Sequence, residues 1–231
     1  MNRTNIEWTD YTWNPITGCL HGCPYCYAKK ITQRFKKNYP AGFLPTFYPE
    51  RIADPLRLKK PSRIFTVSMG DMFGEWVEPE WIEQIMNTIL LAERHQFQIL
   101  TKNPTNATKL LDMALHAHGL AYPENLWLGT TVENNDAAHR IQELPQRMCF
   151  RGGLRFVSFE PLLGPVTNPD LSNIDWIIIG AQTNPKDCPE GWWVGDLIDA
   201  ARDEKIPVFL KNSIQWWWPD KIQQFPQTGA R

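Results

Sequence analysis

Short runs of apolar, β-branched and aromatic residues punctuate this chain at Arg63–Ser68, Phe97–Thr101, Leu126–Thr131, Arg155–Glu160, Trp176–Gly180 and Pro207–Lys211. Their starts lie between 21 and 34 residues apart, about the span of a strand, a helix and the return. The runs are nearly continuous, as in Ile177-Ile178-Ile179, and so predict strands covered on both faces of a parallel sheet. An earlier strand is predicted between Tyr11 and Thr17.

Between the runs the period shifts toward that of a helix. Pro79 suits a first helical position, and Trp81, Ile82, Ile85, Ile89 and Leu90 then share one face up to about Arg94. Thr105 reads as the N-cap of a helix reaching His118 and ended by Gly119. Further helices are predicted over Cys26–Phe35, Asn135–Leu144 and Gly195–Glu204.

This alternation specifies an α/β fold of parallel strands with helical crossovers. A closed eight-stranded barrel takes about 250 residues. The 231 residues here supply about seven strand signals, so the expected architecture is a partial, open TIM-like barrel of six or seven β/α units. An open doubly wound sheet is the alternative, but the first loop carries cysteines instead of a glycine-rich phosphate turn. Without a linker or low-complexity stretch, residues 1–231 read as one domain.

Hydrophobic residues make up 42% and charged residues 21%, which excludes extended disorder. The first ten residues lack the apolar core of a signal peptide, and no apolar run approaches the roughly 20 residues of a membrane span. A reducing cytoplasm, without membrane association, is the expected location. The net charge of −1 conceals ten lysines and arginines between Lys29 and Arg63, set against only Glu50 and Asp54. Such a segment reads either as a solvated surface or as an attractor for DNA or RNA.

The densest chemistry lies at residues 18–27, Gly-Cys-Leu-His-Gly-Cys-Pro-Tyr-Cys-Tyr. Cys19, Cys23 and Cys26 can hold three irons of a 4Fe-4S cluster and leave the fourth iron open to another ligand. Two other chemistries compete. His21 could complete a Cys3His zinc site, although structural zinc knuckles usually draw paired ligands from two loops and no second pair appears. A disulfide suits neither five cysteines nor this composition.

If the sheet is a barrel, function collects where its strands end. Ser68 and Asp71, Thr101 and Lys102, Thr131 and Glu133, Glu160, Gln182 and Thr183, and Lys211 and Asn212 occupy those positions in turn. Cys149 precedes a strand and reads as filler. Cys188 follows the strand predicted at Trp176–Gly180, on the functional side, where it reads as a plain loop cysteine or as a hydrogen-atom donor to a substrate radical. Trp192, Trp193, Trp216, Trp217 and Trp218 either pack the barrel end or stack nucleobases.

The C-x3-C-x2-C spacing, with Tyr25 before the last cysteine, resembles the signature of radical S-adenosylmethionine (SAM) enzymes. That likeness implies SAM on the open iron, reductive cleavage to a 5'-deoxyadenosyl radical, and hydrogen abstraction from a substrate. It implies Asp71 as acceptor for the SAM ammonium, Lys102 or Lys211 for its carboxylate, Glu133 for the ribose, and Tyr25 and Tyr27 for the adenine; the charged residues read equally as salt-bridge partners lining the barrel mouth, and Tyr27 as packing for the first helix. Thr101 and Glu160 complete the expected cofactor site. An electron donor such as flavodoxin or ferredoxin is the implied partner.

Further segments, among them Trp13-Asn14-Pro15-Ile16-Thr17-Gly18-Cys19, Phe65-Thr66-Val67-Ser68-Met69-Gly70-Asp71 and Ser158-Phe159-Glu160-Pro161-Leu162-Leu163-Gly164-Pro165, resemble a family of phage and bacterial proteins. That family is known mainly as a domain of unknown function and is regarded as radical-SAM-like. The sequence departs from its pattern at Gly180-Ala181-Gln182-Thr183-Asn184, where many members have Gly-Gly-Glu-Ser-Gly, and at Lys211-Asn212-Ser213-Ile214, where many have Lys-Gln-Trp-Gly. Spore photoproduct lyase, a DNA-repair radical SAM enzyme, is a looser likeness. The functional expectation is a radical SAM enzyme with DNA or RNA as a candidate substrate. The alternative is a non-catalytic nucleic-acid-binding protein with a structural zinc or Fe-S site.

Overall fold

A computed structural model describes residues 1–116, 119–145, 153–183 and 185–227. Cys149 and the predicted helix end at His118 lie outside the described residues. The chain begins with β1 (Asn2–Arg3), β2 (Tyr11–Trp13), β3 (Ile16–Thr17), α1 (Tyr27–Arg34), β4 (Thr46–Phe47), α2 (Asp54–Arg57) and β5 (Arg63–Thr66). It continues through α3 (Pro79–Leu91), β6 (Gln96–Thr101), α4 (Pro104–Leu115), β7 (Leu126–Thr131), β8 (Leu154–Phe159) and β9 (Trp176–Ile179). The last elements are β10 (Gln182–Thr183), β11 (Lys186–Asp187), α5 (Gly191–Asp203), β12 (Val208–Leu210) and α6 (Asn212–Gln215).

Seven strands run parallel in chain order, β2-β5-β6-β7-β8-β9-β12, and β1 adds an antiparallel edge to β2. Each crossover steps in the same direction, as in a barrel. A doubly wound sheet would reverse direction midway. The paired strands end at β1 and β12, so the barrel is open, as the chain length and the number of strand signals predict.

The alternation along the strands sorts side chains into two cores. Outward-facing residues such as Ile64, Ile99, Leu128, Val157 and Ile177 pack with the helices. The residues between them form a second cluster of Trp8, Phe65, Trp127, Phe156, Trp176, Ile178 and Phe209. Phe225 and Ile6 pack against it. These rings plug the concave side of the open barrel, where a closed barrel would stack aliphatic layers. Trp8 lies 4.8 Å from Phe65, while Trp176 donates its indole N–H to the Gln224 carbonyl at 2.9 Å. Segments from both ends of the chain thus fill the gap between the first and last parallel strands.

Several local expectations change. The predicted strand Tyr11–Thr17 splits into β2 and β3, because Pro15 lacks an N–H for the ladder; β3 pairs with β4 instead. The cap of α4 is Asn103, whose side chain accepts from the Asn106 N–H, and Thr105 lies inside the first turn. Asn135–Ile141 is a 3-10 helix capped by Asn134. Helix α5 begins at Gly191, four residues before the predicted start, and so takes Trp192 and Trp193 into its first turn.

Candidate metal and cofactor site at the barrel mouth

The cysteine loop leaves β3 at Gly18, which stands at φ +90°, a left-handed conformation that favours glycine. A Cβ there would lie 2.2 Å from the Leu44 carbonyl oxygen. This close approach lets the Cys19 N–H donate to the Phe43 carbonyl at 3.2 Å, while the Gly18 N–H donates to the Met69 carbonyl at 2.9 Å. The loop is therefore seated between the strand-end turn after β5 and the segment entering β4. Cys26 is the N-cap of α1, and its Sγ accepts the Lys29 N–H at 3.4 Å. The Cys19 Sγ accepts the His21 N–H at 3.5 Å.

The donor chemistry fits a 4Fe-4S cluster. Burial pushes the Cys19 thiol up to about 12, and the charges of Asp71, Cys23 and Cys26 add to the rise despite the His21 N–H. Holding thiolates there calls for a cation among them, which iron supplies. Among the described residues, no three His, Cys, Asp or Glu side chains converge as they would on one metal ion. His21, the fourth ligand of the competing zinc arrangement, instead places Nε2 2.8 Å from Asp71 Oδ2.

Asp71 binds the loop to the neighbouring strands. Its Oδ1 accepts from the Phe73 N–H at 3.0 Å and the Thr101 hydroxyl at 2.7 Å, and its Oδ2 accepts from the Lys102 N–H at 2.9 Å in addition to His21. The residue is 4% exposed. Burial alone would raise its pKa, but the hydrogen bonds from His21, Lys102 and Phe73 outweigh that penalty and hold the carboxyl below its usual range. All four acceptor positions are thereby used inside the protein, which leaves none for the ammonium expected of it from the sequence.

Two ion clusters occupy the mouth beyond Asp71. In the first, Lys102 Nζ contacts Glu133 Oε1 and donates to the Tyr25 hydroxyl at 2.7 Å. Arg140 Nη1 donates to Glu133 Oε2 at 2.8 Å. Burial opposes ionisation of Glu133, but the Lys102 charge and these hydrogen bonds prevail and lower its pKa. Burial and the bond to Glu133 push the Tyr25 phenol upward. Two cations against one carboxylate leave this cluster with one net positive charge.

In the second cluster, Lys211 Nζ contacts Glu160 Oε1 and lies 3.8 Å from Glu7 Oε2. Burial would lower the Lys211 pKa, yet the two carboxylates raise it. Here two carboxylates face one cation, so the net charge is negative. Gly180 makes room for the pair: a Cβ on it would lie 3.0 Å from both Glu160 Cγ and Lys211 Cδ. Tyr27 lies nearby, its ring exposed while its hydroxyl donates to the Ser68 carbonyl. Burial of that hydroxyl and the Glu160 charge push its pKa up.

The structure thus gathers the predicted Tyr25, Tyr27, Asp71, Thr101, Lys102, Glu133, Glu160 and Lys211 at one end of the sheet with the three cysteines. Gln182 instead donates to the Pro185 carbonyl within the β10–β11 hairpin. Cys188 is exposed just beyond that hairpin. Sequence reading missed Glu7 and Arg140, which join the ring from a loop and from the 3-10 helix. Arg140 follows Glu133 by seven residues, a spacing that carries no signal until the intervening turn is known. Trp217 and Trp218 pack against the core, whereas Trp192 and Trp216 are exposed, with Lys186 Nζ 4.6 Å from the Trp216 ring centre.

Comparison with known proteins finds the family of unknown function and spore photoproduct lyase among the matches. No curated protein matches the chain. Among solved structures, a spore photoproduct lyase variant with dinucleoside spore photoproduct is 13% identical with a TM-score of 0.48, covering 72% of this chain and 54% of that one. A second variant, with bound AdoMet and the same dinucleoside, is 14% identical with a TM-score of 0.47, covering 75% and 56%. The chain spans about half the length of these structures. A family model described as a protein of unknown function, DUF5131, matches residues 3–229, and the chain belongs to that family.

Proposed function

We propose that the protein is a radical SAM enzyme in which Cys19, Cys23 and Cys26 hold a 4Fe-4S cluster and the strand-end ring holds SAM. The observation that carries this reading is the division of charge at the mouth, beside three cysteines that leave one iron of such a cluster without a protein thiolate. SAM combines a carboxylate with an ammonium and a sulfonium, so it suits a mouth that is positive around Lys102 and Arg140 and negative around Glu160 and Glu7. When bound, the cluster and SAM supply reductive carbon–sulfur cleavage and hydrogen abstraction from a substrate.

The protein groups have separable roles. Lys102 can turn to the SAM carboxylate without stranding Glu133, because Arg140 stays on Glu133 Oε2. Glu160 and Glu7 favour the cationic end of SAM, and Lys211 keeps the two carboxylates from repelling one another. Asp71, held in turn by Thr101, positions the cysteine loop through His21. Tyr27 offers an exposed ring whose hydroxyl is already fixed, a surface suited to the adenine. The aromatic plug below the ring excludes water from the lumen.

The exposed indoles of Trp192 and Trp216 support a substrate that carries nucleobases, since such surfaces stack bases without regard to sequence. Cys188 is the accessible thiol nearest in sequence to those indoles and the candidate hydrogen-atom donor.

Anaerobic reconstitution is expected to give about four irons per chain. It should also give an EPR signal from the reduced cluster that SAM perturbs, and 5'-deoxyadenosine only when reductant is present. Stoichiometric zinc with no response to SAM would overturn the proposal.

A further inference from the structure

The segment Trp13-Asn14-Pro15 precedes the cysteine loop and takes no part in the charge pattern of the mouth. Pro15 interrupts the ladder between β2 and β3 and leaves Asn14 at the break. There the Asn14 side chain turns toward the strand-end turn after β5. Its Oδ1 accepts the Met69 N–H at 2.9 Å and the Ser68 hydroxyl at 3.2 Å. A backbone N–H can only donate, so the carbonyl end of the amide faces this turn.

The turn that Asn14 holds is strained. Val67 stands at φ +59°, a left-handed conformation that its β-branch disfavours. The residue is buried, its N–H donates to the Trp13 carbonyl at 2.7 Å, and its carbonyl accepts the Gly70 N–H at 3.2 Å. Backbone in such a conformation persists only where the surroundings over-determine it. Asn14 supplies two of the bonds that do so.

Two parts of the proposed cofactor site hang from the same turn. The Met69 carbonyl accepts the Gly18 N–H at 2.9 Å, and Gly18 pairs in parallel with Gly70, where a Cβ would lie 2.7 Å from the Gly18 carbonyl oxygen. The Ser68 carbonyl accepts the Tyr27 hydroxyl. Asn14 is itself braced from behind. Its backbone carbonyl accepts Arg51 Nη1 at 3.1 Å, and the Arg51 guanidinium lies 3.6 Å from the Tyr48 ring centre.

We infer that Asn14 is a positioning residue whose side-chain carbonyl clamps the turn at residues 67–70. Through the Met69 and Ser68 carbonyls it sets where the cysteine loop leaves β3 and where the Tyr27 ring lies. The inference rests on the proposed function for what this seat serves, a cluster on the loop and SAM beside it. Asp71, at the far end of the turn, holds the loop through His21, so the loop is fixed at its base by Asn14 and along its length by Asp71.

Hydrogen exchange on the full metal-free chain tests the clamp without cluster or SAM. In Asn14→Ala the Gly18 amide, whose own acceptor is Met69, is expected to exchange about tenfold faster. Asn14→Asp keeps an acceptor oxygen in the same place and should restore the protection. After reconstitution, Asn14→Ala should lose iron to a ferrous chelator about ten to a hundred times faster than wild type and bind SAM about tenfold more weakly by equilibrium dialysis. Ile198→Val, a core change on α5, measures the effect of lowered stability alone and should alter none of these three readouts. Ser68→Ala removes only one of the two bonds to Asn14 and replaces the alanine variant where that chain does not fold; it should show the same changes at smaller size. Gly18 exchange left unchanged by Asn14→Ala and by Ser68→Ala overturns the inference, as does Ile198→Val matching them in iron loss or SAM affinity. A wild-type chain that loads no iron, or loads it and binds no SAM, overturns the functional reading and with it the role of Asn14 in seating cofactors. A wild type that does both, beside an Asn14→Ala chain that keeps iron and SAM equally well, overturns the inference alone.

Discussion

Replacing Asp71 by asparagine preserves its shape and inverts half of its chemistry. The native carboxylate accepts from two backbone N–H groups, one hydroxyl and one imidazole. If the new amide nitrogen takes the Oδ1 position it faces the Thr101 hydroxyl, which can rotate to accept, and the Phe73 N–H, which cannot. In the other orientation it faces His21, which can accept as the alternative tautomer, and the Lys102 N–H, which cannot. Either way one buried N–H opposes another donor, at a cost of about 1–3 kcal/mol, and the surviving bonds lose the strength an ionised acceptor gave them. A total loss of about 2–4 kcal/mol is expected in urea unfolding of the metal-free chain at neutral pH, with an unchanged m-value. Because the folded carboxyl lies below its unfolded value of 3.8, its contribution is fully present above that pH and is lost as pH falls toward the folded value. The gap between wild type and variant should therefore narrow below pH 3.8. A loss under about 0.5 kcal/mol at neutral pH, the range of an ordinary surface substitution, would refute the four-acceptor account. So would a gap that persists unchanged in acid.

Lys211→Met leaves Glu160 and Glu7 without their cation and should cost about 3 kcal/mol, the low end for a broken buried pair because these side chains retain some solvent contact. Adding Glu160→Gln should recover much of the loss in the same unfolding assay. The raised Lys211 pKa makes its stabilisation complete below 10.5 and lost as pH climbs through the folded value, so wild type should weaken in strong alkali by a step that the variant lacks. Gly18→Ala combines a left-handed backbone with a contact to the Leu44 carbonyl; strain of about 1–3 kcal/mol should appear as lower stability and poor iron retention after desalting. Arg140→Met removes the cation that keeps Glu133 matched when Lys102 turns away, and should weaken SAM binding by equilibrium dialysis while leaving iron content unchanged.

How much of this could be read in the sequence depended on the range of the interaction. The strand from Leu126 to Thr131 appears with the predicted bounds, because a run buried on both faces carries its signal in every residue. Cys26–Phe35 likewise frames α1, with the cysteine as one cap and Phe35 as the other. Elements decided by a single residue were harder to see. Pro15 broke one predicted strand in two, and Val67, at φ +59°, ends β5 before Ser68 in a conformation that a β-branched residue rarely adopts. The predicted start at Gly195 left Trp192 and Trp193 outside α5, although Trp193 packs on the core from the helix's first turn.

The ring shows the same division in chemical terms. Strand-end position was enough to find Asp71, Lys102, Glu133, Glu160 and Lys211, since each follows a legible run. It could not show their pairing, which depends on contacts spanning 31 residues between Lys102 and Glu133, 51 between Lys211 and Glu160, and 50 between His21 and Asp71. The pairing changes the chemistry. Asp71, expected as a ligand-facing acceptor, is saturated by the protein and serves the loop. Lys102, expected either to face the SAM carboxylate or to pair at the mouth, shares Glu133 with Arg140, so its departure would leave Glu133 still paired. A mouth assembled from isolated charges would have to desolvate each one to take SAM as proposed. One assembled from unequal clusters is already neutralised in part, and the residual charge of each cluster supplies the direction in which a zwitterion can lie.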